Sequence, residues 1–329
     1  MKIALISDIL TQDALSVENK LESKQITPLN YMFILKFWKP DLLFVESAWQ
    51  GHNSQWRYKI ASYDNYPKRN NSKLRRVVNY AKKLGIPTVF WNKEDGIHFD
   101  RFIESAKLFD HIFTVDENCI SKYRKIVSKD TTVNILMFAV QSKFHNYNDK
   151  NFSINSANFV GSYSRHVHDK RREWQDMAFE ALASVGISLD VYDRNSDRKS
   201  INYRYPSVNN LQVKQAVMYK ETAKIYKNYK ISLNVNTIID SNTMFSRRLI
   251  EILACGGIAI TNNTKAVEKY FKEYCYVADT KSEMIKIVSN LKNGLSVKDK
   301  VMTKKASEYI LKNHTWTHRL QEIREVVGI

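Results

Sequence analysis

Asp41-Leu42-Leu43-Phe44-Val45-Glu46 is the stretch that decides the fold. Its apolar run is short and rich in β-formers, which marks a strand buried on both faces rather than a helix. Upstream, Lys2–Ser7 reads as a second strand, and Tyr31–Trp38 as a helix stopped by Pro40. Downstream, Ser72–Leu84 is an amphipathic helix ended by Gly85. Pro87–Trp91 and His111–Thr114 follow as strands, with helices at Phe99–Lys107 and Glu117–Ile126. Strands alternating with helices over this length imply a parallel, doubly wound α/β sheet.

The pattern then pauses and restarts. Asn146–Asn155 is polar and aperiodic, the best linker candidate. Strands at Ala157–Val160, Leu189–Tyr192, Ile231–Val235 and Ile258–Thr261 alternate with helices at Lys170–Ala183, Ala223–Lys227 and Arg247–Ala254. Helices at Lys281–Leu291 and Asp299–Lys312 follow, and a last one starts near Thr315. The expected plan is a Rossmann-like domain over residues 1–150, a second over 151–312, and a C-terminal helix over 313–329 that crosses back to the first. The two α/β domains are expected to face each other across a cleft. Ligands of such sheets bind beyond the carboxyl ends of the strands. Function should therefore sit at Glu46–Gly51, Trp91–His98, Gly161–Arg165, Tyr192–Arg194 and Asn234 through Glu251.

Composition narrows the class. The chain has 329 residues, 43% of them hydrophobic, enough for two cores. No run approaches the roughly 20 apolar residues of a bilayer span, and Met1–Asp8 turns polar too soon for a signal peptide. Three cysteines, Cys119, Cys255 and Cys275, lack metal-ligand spacing and suit reduced thiols. The expectation is a cytoplasmic protein that binds no metal. The formal charge of +17 favours polyanions: nucleic acid, anionic lipid or phosphate-bearing substrates. Its densest part is Lys68-Arg69, Lys73, Arg75-Arg76 and Lys82-Lys83. On a helix these cations spread around the exposed side, a diffuse surface and not a base-reading device.

The strongest local signal is Asn242-Thr243-Met244-Phe245-Ser246-Arg247-Arg248-Leu249-Ile250-Glu251-Ile252-Leu253-Ala254-Cys255-Gly256-Gly257. Thr243 or Ser246 can cap a helix whose free N–H groups favour phosphate. Arg247 and Arg248 add donors suited to a diphosphate. Glu251, one turn on from Arg247, shares its face and could accept two ribose hydroxyls. An ordinary amphipathic helix with an Arg–Glu pair would show the same spacing.

The segment resembles the sugar-donor motif of the CgeB-like glycosyltransferases, a bacterial group of the GT-B fold. Further pieces carry the resemblance over nearly the whole chain: Glu46-Ser47-Ala48-Trp49 with Gly51 and Trp56-Arg57; Phe90–Asp95; Phe113-Thr114 with Asp116-Glu117-Asn118; Phe159–Tyr163; Tyr192-Asp193-Arg194; Asn234-Val235-Asn236; and His314-Thr315-Trp316 with Arg319. The resemblance implies a nucleoside-diphosphate-sugar donor, with UDP as the expected nucleotide, held by the second domain. Glu251 would bind ribose, with Arg247 or Arg248 near the phosphates. Gly161 would let backbone approach the donor without a side chain in the way, Ser162 joins the expected donor set, and Arg194 could contact phosphate. Asn234 and Asn236 share one strand face, as sugar-site lining or as a core network. Thr243, Met244, Phe245 and Ser246 complete the expected donor set. Many retaining GT-B enzymes have two glutamates eight positions apart; here the earlier position is Thr243, so the anomeric outcome stays open. Gly96 stands where the family usually has proline.

In the first domain, Asp95 is the first choice of base toward an acceptor hydroxyl, then Glu94, with His98 as an alternative. An N-cap role for these carboxylates carries equal weight. Glu46, Trp49, Gly51 and Trp91 are the expected acceptor-side residues, the indoles as sugar-stacking faces. Glu46 could instead anchor the loop that bears Trp49. The sequence shows no Gly-x-Gly-x-x-Gly fingerprint after Ile6, no P-loop and no nucleophile elbow, which ranks dehydrogenases, nucleotide hydrolases and esterases low.

The expected partners are a nucleotide-sugar cosubstrate and a surface glycan, lipid-linked or protein acceptor. Peripheral contact with the anionic inner membrane face is allowed, and nucleic acid is not expected. Two alternatives stand beside this: a basic nucleic-acid or anionic-surface binding protein on a degenerate GT-B fold, and a GT-B nucleotide-sugar epimerase.

Overall fold

The computed structural model describes residues 1–147 and 152–329. By internal contacts it divides into two units, Met1–Gln141 with Trp316–Ile329, and Ser142–Thr315. Phe144 and His145 join the second unit through ring contacts with Tyr219 at 5.9 and 5.1 Å. Residues 148–151, in the middle of the polar stretch, lie outside the described residues.

The first unit runs β1 Lys2–Ile6, α1 Ile9–Ser16, β2 Glu22–Gln25, α2 Tyr31–Phe33, then a π-helical turn Ile34–Trp38. It continues through β3 Leu42–Glu46, α3 Ser72–Lys83, β4 Thr88–Asn92, α4 Phe99–Ala106, β5 His111–Thr114, α5 Ile120–Arg124 and β6 Thr132–Ile135. All strands are parallel in the order β2-β1-β3-β4-β5-β6. Every residue of β3 and β4 is buried, because helices cover both faces. The polar edge strands β2 (Glu-Ser-Lys-Gln) and β6 escape sequence patterning. An edge strand needs no apolar run, and polar side chains there discourage further pairing.

The second unit runs β7 Ile154–Gly161, α6 Asp169–Ser184, β8 Leu189–Asp193, β9 Leu211–Lys214, α7 Thr222–Asn228, β10 Tyr229–Leu233, α8 Arg247–Ala254, β11 Ala259–Thr261, β12 Tyr276–Val277, α9 Lys281–Lys292 and α10 Val297–Asn313. Its sheet is also parallel, ordered β12-β11-β10-β7-β8-β9. Phe159, Phe179, Leu182, Ile231 and Leu233 centre its core.

The last helix, α11 Trp316–Val327, belongs to the first unit. Trp316 meets the Trp91 ring edge-on at 5.4 Å, and buried Arg319 donates to the Met137 carbonyl at 2.9 Å. Both units are thus doubly wound sheets, whose strand order reverses at β1/β3 and at β7/β10. Those are the topological switch points where such sheets bind ligands.

Candidate functional site

At the second switch point, β7 ends on Gly161 and β10 leads into Asn234 and Asn236. A Cβ on Gly161 would lie 2.7 Å from the Phe159 ring and 2.9 Å from Arg248 Nη2, so only glycine leaves room for that guanidinium. Arg248 crosses from α8 to this point. Its Nε donates to the Val160 carbonyl at 2.6 Å and its Nη1 to Asn234 Oδ1 at 3.3 Å, with the guanidinium 4.5 Å over the Phe159 ring. Burial lowers its pKa, and the nearby Arg194 lowers it further.

Two more guanidinium groups act on the same spot. Arg171 on α6 donates to Thr237 Oγ1 at 3.2 Å and to the Ser162 carbonyl at 3.3 Å. Burial, then repulsion from Arg248 and Arg194, lowers its pKa to about 10. Arg194 follows β8 and is exposed; its backbone N–H bonds to the Gly161 carbonyl at 2.9 Å. Among the described residues, Arg171 and Arg248 form no ion pair with a carboxylate, and the bonds above go to neutral oxygens. Sequence reading missed Arg171, because it sits in Lys-Arg-Arg at a helix start, indistinguishable there from a solvated surface.

Glu251 is buried beside Arg247, whose Nε stands 2.8 Å from its Oε1. Arg247 also lies 5.2 Å from the Tyr219 ring centre. Burial raises the Glu251 pKa, with Arg247 and Arg248 opposing it. The adjacent arginines thus divide: Arg248 points to the strand ends and Arg247 holds Glu251.

The rest of the expected donor set packs inward. Phe245 is fully buried, its ring 4.9 Å from Phe271 and 6.0 Å from His314, so it is core and not pocket lining. Ser246 occupies the N-cap position of α8 without a side-chain cap; its N–H donates to Asn236 Oδ1 at 2.7 Å. Asn236 also bonds to Thr261 and Asn262, so it is the core network that fixes the helix start, while Asn234 orients Arg248. The N–H groups of buried Thr243 and half-buried Met244 donate to Ser241 Oγ, and Ser246 holds the N-cap position of α8. Ser162 is half-buried at the end of β7.

At the first switch point the structure corrects several expectations. Trp91 is 2% exposed, donates to the Leu136 carbonyl and is packed by Phe44, Phe138 and Trp316; it offers no face to a sugar. Glu46 is fully buried and accepts from the Asp8 N–H and Thr11 Oγ1 at 2.6 Å each, and from Lys93 Nζ at 2.9 Å, so it anchors the loop rather than meeting an acceptor. Burial raises its pKa despite Lys93. Asp8, unnoticed in the sequence, receives the N–H groups of Trp49, Gln50 and Gly51 at 3.0, 3.0 and 2.7 Å. Burial alone would raise its pKa, but Lys93 and those N–H groups hold it below the ordinary value.

Gly51 adopts φ +66°, and a Cβ there would meet Trp56 at 2.7 Å. Trp49 packs edge-on against Phe102 and His98 at 5.0 and 5.2 Å. Asp95 is also fully buried, accepting from Asn92 Nδ2 at 2.7 Å and Tyr123 at 2.9 Å, and burial lifts its pKa to about 7. Enclosed in this way it positions the loop and cannot reach an acceptor hydroxyl. Half-buried Glu94 and His98 remain at the loop surface; burial lowers the His98 pKa. Among the described residues no three His, Cys, Asp or Glu side chains gather as a metal site.

A model of the family described as "Glycosyl transferase-like" matches residues 161–325, half of the chain. The chain belongs to that family. The match begins at Gly161 and takes in the arginines and Glu251 described above. No curated protein matches the sequence.

Several solved structures match throughout. An alpha-glucosyltransferase in complex with UDP and a 13-mer DNA containing a HMU base is 13% identical, covers 100% of both chains and has a TM-score of 0.68. Anabaena Alr3699/HepE in complex with UDP is 10% identical over 99% of each chain, with a TM-score of 0.61. T4 phage BGT with its UDP-glucose substrate is 12% identical over 100% of each, at 0.57. At these identities the likeness is one of fold: this glycosyltransferase-like chain has two Rossmann-like domains, as GT-B glycosyltransferases do.

Proposed function

We propose that the chain transfers a sugar from a nucleoside-diphosphate donor, UDP-linked, to a hydroxyl of a glycan, glycolipid or protein. The observation that carries this reading is the convergence of Arg171, Arg194 and Arg248 on Gly161, with buried Glu251 one turn along α8 from Arg247. Among the described residues Arg171 and Arg248 have no carboxylate partner, which favours a diphosphate, and Glu251 offers acceptor oxygens to a ribose. Solved proteins of the same fold carry UDP or UDP-glucose. The ordered motifs along the chain support a CgeB-like member.

In the proposed reaction the acceptor oxygen bonds to the anomeric carbon as the bond to the β-phosphate oxygen breaks. The acceptor proton passes to a general base, and the departing diphosphate gathers charge that the three arginines stabilise. This electrostatic role is the one a metal ion plays elsewhere.

Titration calorimetry with UDP tests the donor site. Arg248→Ala and Glu251→Ala should each weaken binding about tenfold to a hundredfold, the range for losing a charge-assisted hydrogen bond. Unchanged affinity in both variants removes the proposed site.

A further inference from the structure

Four large apolar side chains stand in water together. Leu29, Met32, Phe33 and Phe37 are 90%, 53%, 68% and 65% exposed. Met32, Phe33 and Phe37 lie on the outward side of the helical stretch over residues 31–38, and Leu29 sits in the turn that leads into it. Phe33 and Phe37 are 5.1 Å apart between ring centres. The inner side of the same stretch is pinned: Leu35 is buried, and Tyr31 and Ile34 pack on the core. The outward apolar face is therefore held in place rather than loosely frayed. A contiguous exposed patch of this kind marks an interaction surface.

Its border is cationic. The Lys36 amine lies 5.5 Å over the Phe37 ring, and the Lys24 and Lys2 amines lie 4.8 and 5.8 Å over Trp38. No Asp or Glu occurs between Gln25 and Pro40. Tyr31 meets Tyr80 of α3 edge-on at 5.7 Å, so the basic helix lies alongside. On α3, Lys73, Arg75, Arg76 and Lys83 are exposed, and among the described residues they pair with no carboxylate; Lys82 is taken by Asp110. No acidic residue occurs from Asn65 to Lys93.

We propose that the apolar strip Leu29–Phe37, bordered by Lys24, Lys36 and α3, docks the first unit on a bilayer surface of anionic lipid. Phenyl and leucyl groups enter the headgroup–acyl boundary while the cations meet lipid phosphates. Charge complementarity selects this occupant. A second copy of the same face would bring like charges together. A nucleic acid would use the cations but give the exposed Leu, Met and Phe side chains no apolar partner.

The test is co-sedimentation of the full chain with phosphatidylcholine vesicles, with and without about a third phosphatidylglycerol. Binding is expected on the anionic vesicles, falling as salt screens the headgroups. The surface variant Phe33→Ser/Phe37→Ser should lower partitioning about tenfold or more, and Arg75→Glu/Arg76→Glu should lower it on anionic vesicles. Thermal melts and UDP affinity, both expected unchanged, check that these variants are folded. Absence of vesicle binding at low salt, or equal binding by both variants, overturns the proposal. So does binding of duplex DNA that depends on Arg75 and Arg76 alone, or self-association abolished by the Phe pair, when either occurs without vesicle binding.

Discussion

Gly161 shows how much can rest on a missing side chain. Its neighbours leave less than 3 Å for a Cβ, and one of them is the Arg248 guanidinium. Gly161→Ala should therefore displace Arg248 and weaken UDP binding about tenfold in calorimetry. Overpacking should also cost about 1 to 3 kcal/mol in chemical denaturation. Normal UDP affinity in a folded alanine variant would show that Arg248 stays out of the donor contact. At this scale the spacing Arg-Arg-x-x-Glu correctly set Arg247 and Glu251 side by side on one helix, but it could not tell that Arg248 turns to the strand ends while Arg247 pairs with Glu251. Trp91, Glu46 and Asp95 misled because a strand-end residue can turn to solvent or back into the loop, and spacing cannot say which. Their burial reflects partners far along the chain: Leu136 and Trp316 for Trp91, Thr11 and Asp8 for Glu46, Tyr123 for Asp95.

Elements made the fold readable, since apolar runs such as Leu42–Val45 are buried on both faces and hardly depend on context. The strands β2, β6, β9 and β12 were not legible; they are short or polar and form only because a neighbour offers a free edge. The loop after β4 belongs to this scale, since buried Asp95 sets how it responds to acid. Its carboxyl holds a proton up to about pH 7 in the folded chain, whereas the unfolded chain releases it near pH 4. Below that lower value the group contributes its full stability, and the contribution is lost as pH rises through 7. Melting temperatures followed from pH 4 to 8 should thus fall for the native chain relative to Asp95→Asn, which has no such proton to lose. Parallel pH profiles would show that Asp95 is not the group responsible. On α11, Trp316→Ala removes an indole packed on Trp91 and should cost about 3 to 5 kcal/mol by urea denaturation. A loss under 1 kcal/mol would mean that α11 contributes little to the first unit.

At the scale of the whole molecule, the +17 charge is shared by both units but serves different ends in each. In the second it supplies the guanidinium cluster at Gly161, and in the first the uncompensated cations of α3. The polypeptide leaves the first unit at Gln141 and returns to it only at Trp316. On a ribosome, the first sheet therefore emerges long before the helix that seals Trp91. At about 5 to 20 residues per second, that interval is on the order of ten to thirty seconds. By the end of it the second unit, uninterrupted in sequence, is fully made, while the first still lacks the helix that packs on Trp91. Of the two units, the one begun earlier is thus the one completed later.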